Sequence, residues 1–233
     1  MEDRISIVVC SRYNDERREK IVEKIKDSCG CNNDILFIFN PDGFPLTKIY
    51  NTYLFSPDNK NDITVFVHDD VDFLKKGWGA EVLRLFNTHK AYGIIGVAGS
   101  AEFDEKAAWW GYDDKYGQVL HRHDGKSWVT AFSPLLKEDL QEVCVIDGLF
   151  MAVSRSRINH GFDESFKFDF YDISFCLDNF LDKSCKIGVT TNIRLAHNSI
   201  GEMRDDWYVS REALNEKYKK HYPIKVQNGR KKS

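Results

Sequence analysis

Hydrophobic residues in this chain come in short runs divided by charged stretches. Ile5 to Cys10 (Ile-Ser-Ile-Val-Val-Cys) is an apolar run of the kind that forms a buried parallel strand. Asp15 to Asp27 is highly charged, and its only apolar residues, Ile21, Val22 and Ile25, make a narrow stripe on an exposed helix. Ile35 to Phe39 predicts a second strand, closed by the turn residues Asn40-Pro41-Asp42-Gly43. Thr47 to Phe55 reads as a helix and Ile63 to Val67 as a third strand. This β-α-β-α-β order implies a parallel sheet with right-handed crossovers.

Further along, Gly77 to His89 predicts a helix carrying Val82, Leu83, Leu85 and Phe86, and Tyr92 to Ala98 a glycine-rich strand. Residues 99–142 show no strong period and read as irregular loops or a small hairpin. Val143 to Val153 is an apolar strand interrupted at Asp147-Gly148. Asp172 to Leu181 has an i, i+3, i+4, i+7, i+8 apolar face in Ile173, Cys176, Leu177, Phe180 and Leu181. Cys185 to Val189 is a short strand, Thr190 to Ala196 is strand-like, and 205–221 form a charged helix. There is no repeat, low-complexity segment or linker, so one domain over residues 1–233 is expected.

The strand Ile63–Val67 runs through His68 into three carboxylates, Asp69, Asp70 and Asp72. In open α/β sheets the carboxyl ends of strands face the ligand crevice. Carboxylates this close repel unless a cation sits among them, and such oxygen-rich clusters suit Mg²⁺ or Mn²⁺. The alternative is a strand followed by an acidic, N-capping loop.

Of 233 residues, 42% are hydrophobic and 30% charged, as in ordinary globular chains. Aromatics reach 13%, which favours a well-filled core and a stacking or sugar-contacting surface. The net charge of −3 leaves no basic excess to neutralise a nucleic-acid backbone, so no nucleic-acid partner is expected. The tail Gly229-Arg230-Lys231-Lys232 is a solvated end or, at most, a peripheral contact with an anionic membrane. Cys10, Cys144 and Cys176 read as small buried hydrophobes, and Cys29-Gly30-Cys31 is too tight for a four-ligand zinc site. Glu2-Asp3-Arg4 leads straight into a strand, and no apolar run reaches the roughly 18 residues of a membrane span. A reduced, cytoplasmic protein is the expectation.

Several motifs then follow in order: Ile5–Ser11, Lys48-Ile49-Tyr50-Asn51, Phe66-Val67-His68-Asp69-Asp70-Val71-Asp72, Val145-Ile146-Asp147-Gly148-Leu149-Phe150-Met151-Ala152, Gly161-Phe162-Asp163-Glu164, Phe170-Tyr171-Asp172-Ile173-Ser174, and His197-Asn198-Ser199-Ile200-Gly201. Their order and spacing resemble the GT-A nucleotide-sugar glycosyltransferases of the family-2-like, streptomycin-biosynthesis type, over about residues 5–200. The resemblance implies an α/β, Rossmann-like single domain, with a central, mostly parallel sheet flanked by helices. Residues 1–98 would be its nucleotide-sugar-binding half, 99–204 its acceptor and catalytic half, and 205–233 a C-terminal helix and tail.

The family's Asp-x-Asp motif holds a divalent cation, Mn²⁺ or Mg²⁺, against the donor diphosphate, and Asp70 and Asp72 fit it. His197 would complete the coordination or touch the diphosphate. Asp172, opening a helix, would be the base for inverting transfer; Asp169 is the alternative if the register slips. Ser11, Arg12 and Asn14 after the first strand, Asn40 and Asp42 after the second, and Asn51 and Asp70 would bind the nucleotide-sugar. The acceptor would be a glycan, a lipid-linked molecule or a small molecule, in a setting such as polysaccharide biosynthesis. His68 reads as structural, because strand alternation sets it opposite Asp69. Trp109-Trp110-Gly111-Tyr112 is either an acceptor platform or a loop anchor.

Two other functions compete. A sugar-phosphate nucleotidyltransferase would carry a glycine-rich basic loop after the first strand, and Ser11-Arg12-Tyr13-Asn14 lacks the glycines. A non-catalytic nucleotide- or glycan-binding protein draws support from Tyr171 and Ser174, which stand where family members often have acids. The transferase reading requires Asp70, Asp72 and Asp172 to meet around one cleft.

Overall fold

A computed structural model describes residues 4–13 and 16–227, so the Asn14 and basic-tail expectations lie outside the described residues. The βαβαβ start is β1 (Arg4–Ser11), α1 (Glu16–Cys29), β2 (Asn32–Phe39), α2 (Leu46–Leu54) and β3 (Ile63–His68). β1 lies between β2 and β3 and is parallel to both, with Cys10 in register with Ile38 and His68. Three carboxyl ends therefore line up, and the Asn40 N–H donates to the Ser11 carbonyl at 2.7 Å.

After β4 (Val71–Phe73) and α3 (Trp78–Thr88), the Gly-rich strand divides into β5 (Tyr92–Gly96) and β6 (Ala98–Ser100). The stretch without periodicity holds β7 (Glu102–Phe103), β8 (Lys115–His123), β9 (Lys126–Ala131) and the start of β10 (Gln141–Val143). β11 (Val145–Ile146) and β12 (Phe150–Ser154) flank the Asp147-Gly148 break. The chain continues through α4 (Tyr171–Leu181), β13 (Lys186–Val189), β14 (Leu195–His197), α5 (Asp205–Tyr218) and β15 (Ile224–Lys225).

The main sheet has seven strands in the order β10-β13-β5-β12-β3-β1-β2. It is mixed rather than dominated by parallel pairs, because β12 runs antiparallel between β3 and β5, and β10 antiparallel to β13. Of the two expectations for 99–142, irregular loops or a small hairpin, the hairpin is present as β8–β9, and it belongs to a second sheet, β11-β6-β8-β14-β4, with β9 on β8. β6, β11 and β14 are largely buried but only two or three residues long, while β8 and β9 are longer and mostly part-buried or exposed, so neither a continuous apolar run nor clean alternation marks them. The hairpin turn between β8 and β9 is Asp124-Gly125, both at positive φ (49° and 71°), the backbone that a tight two-residue turn requires.

An aromatic cluster packs beneath the strand ends. Tyr50 lies 4.4 Å from Phe66 and 5.9 Å from Tyr171, and Phe162 stacks on Phe175 at 4.2 Å. Helix α5 is tied to α4: the Tyr218 hydroxyl bonds Asp178 at 2.7 Å and the Ser174 carbonyl at 3.1 Å, while Lys217 reaches both Asp163 and Asp178. Trp109 is 4% exposed and packs on Phe132 at 4.8 Å, so it anchors its loop to the core. All six cysteines are free thiols.

Candidate active site

β3 delivers His68 to the end of the sheet, and a turn then presents Asp69 and Asp70. The Asp69 carboxylate accepts the Ser11 hydroxyl, which joins the ends of β1 and β3. Asp70 turns the other way: its Oδ2 lies 3.3 Å from His197 Nε2, and that nitrogen is 3.2 Å from the Ser199 hydroxyl. Ligand atoms of His68, Asp70 and His197 all lie within 4.8 Å of one another.

The second Asp70 oxygen, Oδ1, is buried and has no hydrogen-bond partner. A buried carboxylate oxygen left unpaired is costly, and a cation between it and the two imidazoles would satisfy it. The fit extends to the His68 tautomer. The Tyr171 hydroxyl donates its one proton to the Gly148 carbonyl at 3.0 Å and lies 2.9 Å from His68 Nε2. With its Nε2 hydrogen given to this hydroxyl, His68 would keep on Nδ1 the lone pair that binds metal. Two imidazoles and one carboxylate suit Mn²⁺ better than Mg²⁺.

Electrostatics follow the same geometry. Burial pushes the Asp70 carboxyl up, but the hydrogen bond and charge of His197, with help from Ser199 and His68, hold it down at about 2. Burial lowers His197, and Asp70 and Asp147 more than reverse this, so its pKa is raised. His68 is lowered by burial, against the pull of Asp70.

Asp72 stands apart from this group. Lys24 of α1 bonds it at 2.7 Å, Arg122 of β8 at 3.1 Å and the Asn198 side chain at 3.1 Å. Strand pairing gives the reason. On β4, Val71 is in register with His197 of β14, while Asp72 is in register with Ala196. Successive residues point to opposite faces, so Asp72 and His197 lie on opposite sides of the ribbon. The residues here that could hold a cation are thus His68, Asp70 and His197, while Asp72 of the Asp70–Asp72 pair expected from sequence points away from them. His68 ends β3 and Asp70 lies in the turn that follows, so the turn rather than strand alternation brings the two side chains together.

Across the cleft, Asp172 is the second residue of α4. Its Oδ2 accepts the Gly148 N–H at 2.7 Å and its Oδ1 the Ile173 N–H at 2.8 Å. Burial, then the nearby Asp147 charge, raises its pKa to about 7 against the pull of those N–H groups. Tyr171 therefore joins the two sides: one hydroxyl contacts His68, and also the Gly148 loop that holds Asp172. Tyr171→Phe removes the partner that orients His68. It is expected to weaken Mn²⁺ binding about 10–100-fold in a metal titration while the protein stays folded. Gly148 has no room for a side chain, since a Cβ there would lie 2.3 Å from the Tyr171 hydroxyl and 3.0 Å from Asp172. Gly148→Ala is expected to cost about 1–3 kcal/mol in denaturant unfolding and to displace both groups.

The other expected contacts fall in two classes. Ser11 sits at the strand end with its hydroxyl on Asp69, and Arg12 and Asp42 are exposed beside it, with the Arg12 guanidinium close to Gly43. Asn40 and Asn51 have structural partners instead. The Asn40 carboxamide closes its own turn on Phe44 through two bonds of 2.8 Å. Asn51 bonds both the N–H and the carbonyl of Phe162, at 2.7 Å each, and also reaches Glu164. These bonds take up both side-chain donors and the acceptor of Asn51.

Known proteins match this architecture. A family model described as "Glycosyltransferase like family" matches residues 6–227. No curated protein sequence matches the chain. The fold superposes on GalNAc-T7, solved with UDP, GalNAc and Mn²⁺, with a TM-score of 0.55 at 8% identity, over 85% of this chain and 44% of that one. It also superposes on the mannosyltransferase PcManGT from Pyrobaculum calidifontis, solved with GDP-Man and Mn²⁺, with a TM-score of 0.52 at 10% identity, over 93% of this chain and 63% of that one. The chain spans less than two thirds of either protein. The family match covers nearly the whole sequence, and the sheet order and cleft agree with it. The chain therefore belongs to the glycosyltransferase-like family and has the GT-A fold.

Proposed function

We propose that this protein transfers a sugar, with inversion, from a nucleoside-diphosphate donor to an acceptor hydroxyl. The observation that carries the reading is the shared cleft: the Tyr171 hydroxyl links the His68–Asp70–His197 group to the loop that positions Asp172. Asp70, His68 and His197 would hold the cation, with Mn²⁺ favoured by the donor set and present in both superposed structures. When bound, the cation offsets the negative charge that gathers on the departing diphosphate. Asp72 acts behind the site, holding Lys24, Arg122 and Asn198.

Ser11, Arg12 and Asp42 line the strand-end side where the nucleotide would lie. Asp172 takes the acceptor proton while the hydroxyl oxygen bonds to the anomeric carbon and the bond from that carbon to the diphosphate oxygen breaks. A carboxyl with a pKa of about 7 is well matched to that task near neutral pH. Among the described residues no helix is long and apolar enough to cross a membrane, so any membrane contact would be peripheral.

A thermal-shift screen of UDP, GDP, dTDP and CDP, each with and without Mn²⁺, tests the reading. One nucleotide is expected to raise Tm only when Mn²⁺ is present, by about 2.7 kcal/mol of stability at a hundredfold excess over Kd. Four nucleotides without any Mn²⁺-dependent shift would remove the basis for the proposal.

A further inference from the structure

The second sheet continues the active face beyond the cation-binding group. His197 on β14 is in register with His121 on β8, and His121 is in register with Trp128 on β9. Residues paired on adjacent strands share a face, so these three side chains form one row. The rings bear this out: His197 and His121 are 6.0 Å apart, and His121 stacks on Trp128 at 5.5 Å with 20° between planes. Two strand spacings carry the row about 10 Å from the cation-binding group.

The row ends in an open aromatic surface. Trp128 is 41% exposed, and β9 pairs with β8 alone among the described strands. His121 stacks behind Trp128 with its Nδ1 buried, so it braces one face of the indole and leaves the exposed part of the ring for a ligand. The Trp109 half of the aromatic loop has no such opening, being buried against Phe132.

We propose that Trp128, backed by His121, is the platform on which a pyranose ring of the acceptor stacks. This inference rests on the transferase reading of the cleft. A pyranose offers an apolar C–H face and a polar rim, which suit an indole face and a nearby imidazole. At about 10 Å from the cation-binding group, the platform serves the acceptor rather than the diphosphate. It selects for a glycan or glycoside acceptor over one without a sugar ring.

The test is saturation-transfer NMR, in the presence of UDP or GDP and diamagnetic Mg²⁺. The probes are methyl gluco-, galacto-, manno- and xylopyranosides and the corresponding disaccharides. Wild type is expected to bind at least one of them. Trp128→Ala is expected to weaken that binding at least tenfold, while Trp128→Phe stays within about threefold of wild type. Trp128→Leu keeps apolar bulk without a ring face and is expected to behave like Trp128→Ala, which separates stacking from packing. Nucleotide affinity, measured by calorimetry, is expected to stay within twofold in all three variants. Nucleotide binding without any pyranoside binding to wild type would overturn this inference alone. Equal pyranoside affinity in wild type, Trp128→Ala and Trp128→Leu would also overturn it. Absence of nucleotide binding in wild type would instead count against the transferase reading.

Discussion

Asp172→Asn is expected to lower sugar transfer by at least about a thousandfold while nucleotide binding persists. General-base catalysis typically contributes about 10²–10⁴-fold, and an amide cannot accept the acceptor proton. In wild type the base must be ionised, so kcat/KM is expected to rise with pH and level off above an apparent pKa of about 7. Asp147 contributes to that value through like-charge repulsion, so Asp147→Asn is expected to move the midpoint to lower pH. A flat profile from pH 5 to 9 would remove Asp172 from the role.

Stability changes in the opposite sense. The folded-state pKa of Asp172 lies above the ordinary aspartate range, so the folded protein holds a proton that the unfolded chain has released. Between about pH 4 and pH 7 that difference makes stability fall as pH rises. Asp172→Asn removes the penalty but gives up one of the two backbone hydrogen bonds. At pH 8, without metal, the variant is expected to be more stable by about 1–2 kcal/mol, or several degrees in Tm. Loss of activity together with a gain in Tm would distinguish a reacting group from a structural one.

The second large effect is expected at Asp70. Asp70→Ala removes the carboxylate with the unpaired buried oxygen and leaves the two imidazoles without their anionic partner. The Mn²⁺-dependent part of the nucleotide thermal shift is expected to disappear, and transfer to fall below detection. The apo protein should remain folded by far-UV circular dichroism, because Asp70 lies in a part-exposed turn outside the apolar core, although the lost pairing with His197 costs some stability. Asp72→Ala offers the contrast. It removes a salt-bridged carboxylate behind the face, so some Mn²⁺-dependent shift is expected to survive. Equal and complete loss in both variants would return Asp72 to the cation.

The first half of the fold was legible because two of its strands, β1 and β3, are buried on both sides. Ile5–Cys10 and Ile63–Val67 are continuous apolar runs, and their spacing by charged helices leaves little choice but βαβ. The second sheet was not legible. Lys115–His123 and Lys126–Ala131 mix charged, aromatic and aliphatic residues because one side of the hairpin faces water and the other faces a polar site. Within the site, Asp70, His197 and Asp172 stood out as acids and a histidine at element ends. His68 read as structural, because the turn after β3 that brings Asp70 back beside it cannot be seen in strand alternation. Asp72 could not be judged from local spacing, since its orientation is set by pairing with Ala196, more than a hundred residues away. Asn51 matched a motif, yet its bonds go to Phe162, another long-range partner hidden from local reading.

The carboxylate at Asp72 has a wider consequence. Lys24 comes from the first helix and Arg122 from the hairpin, and both end on this one group. The first helix and the hairpin that carries Trp128 thus share a common peg, and any movement of one against the other would have to break one of these two ion pairs.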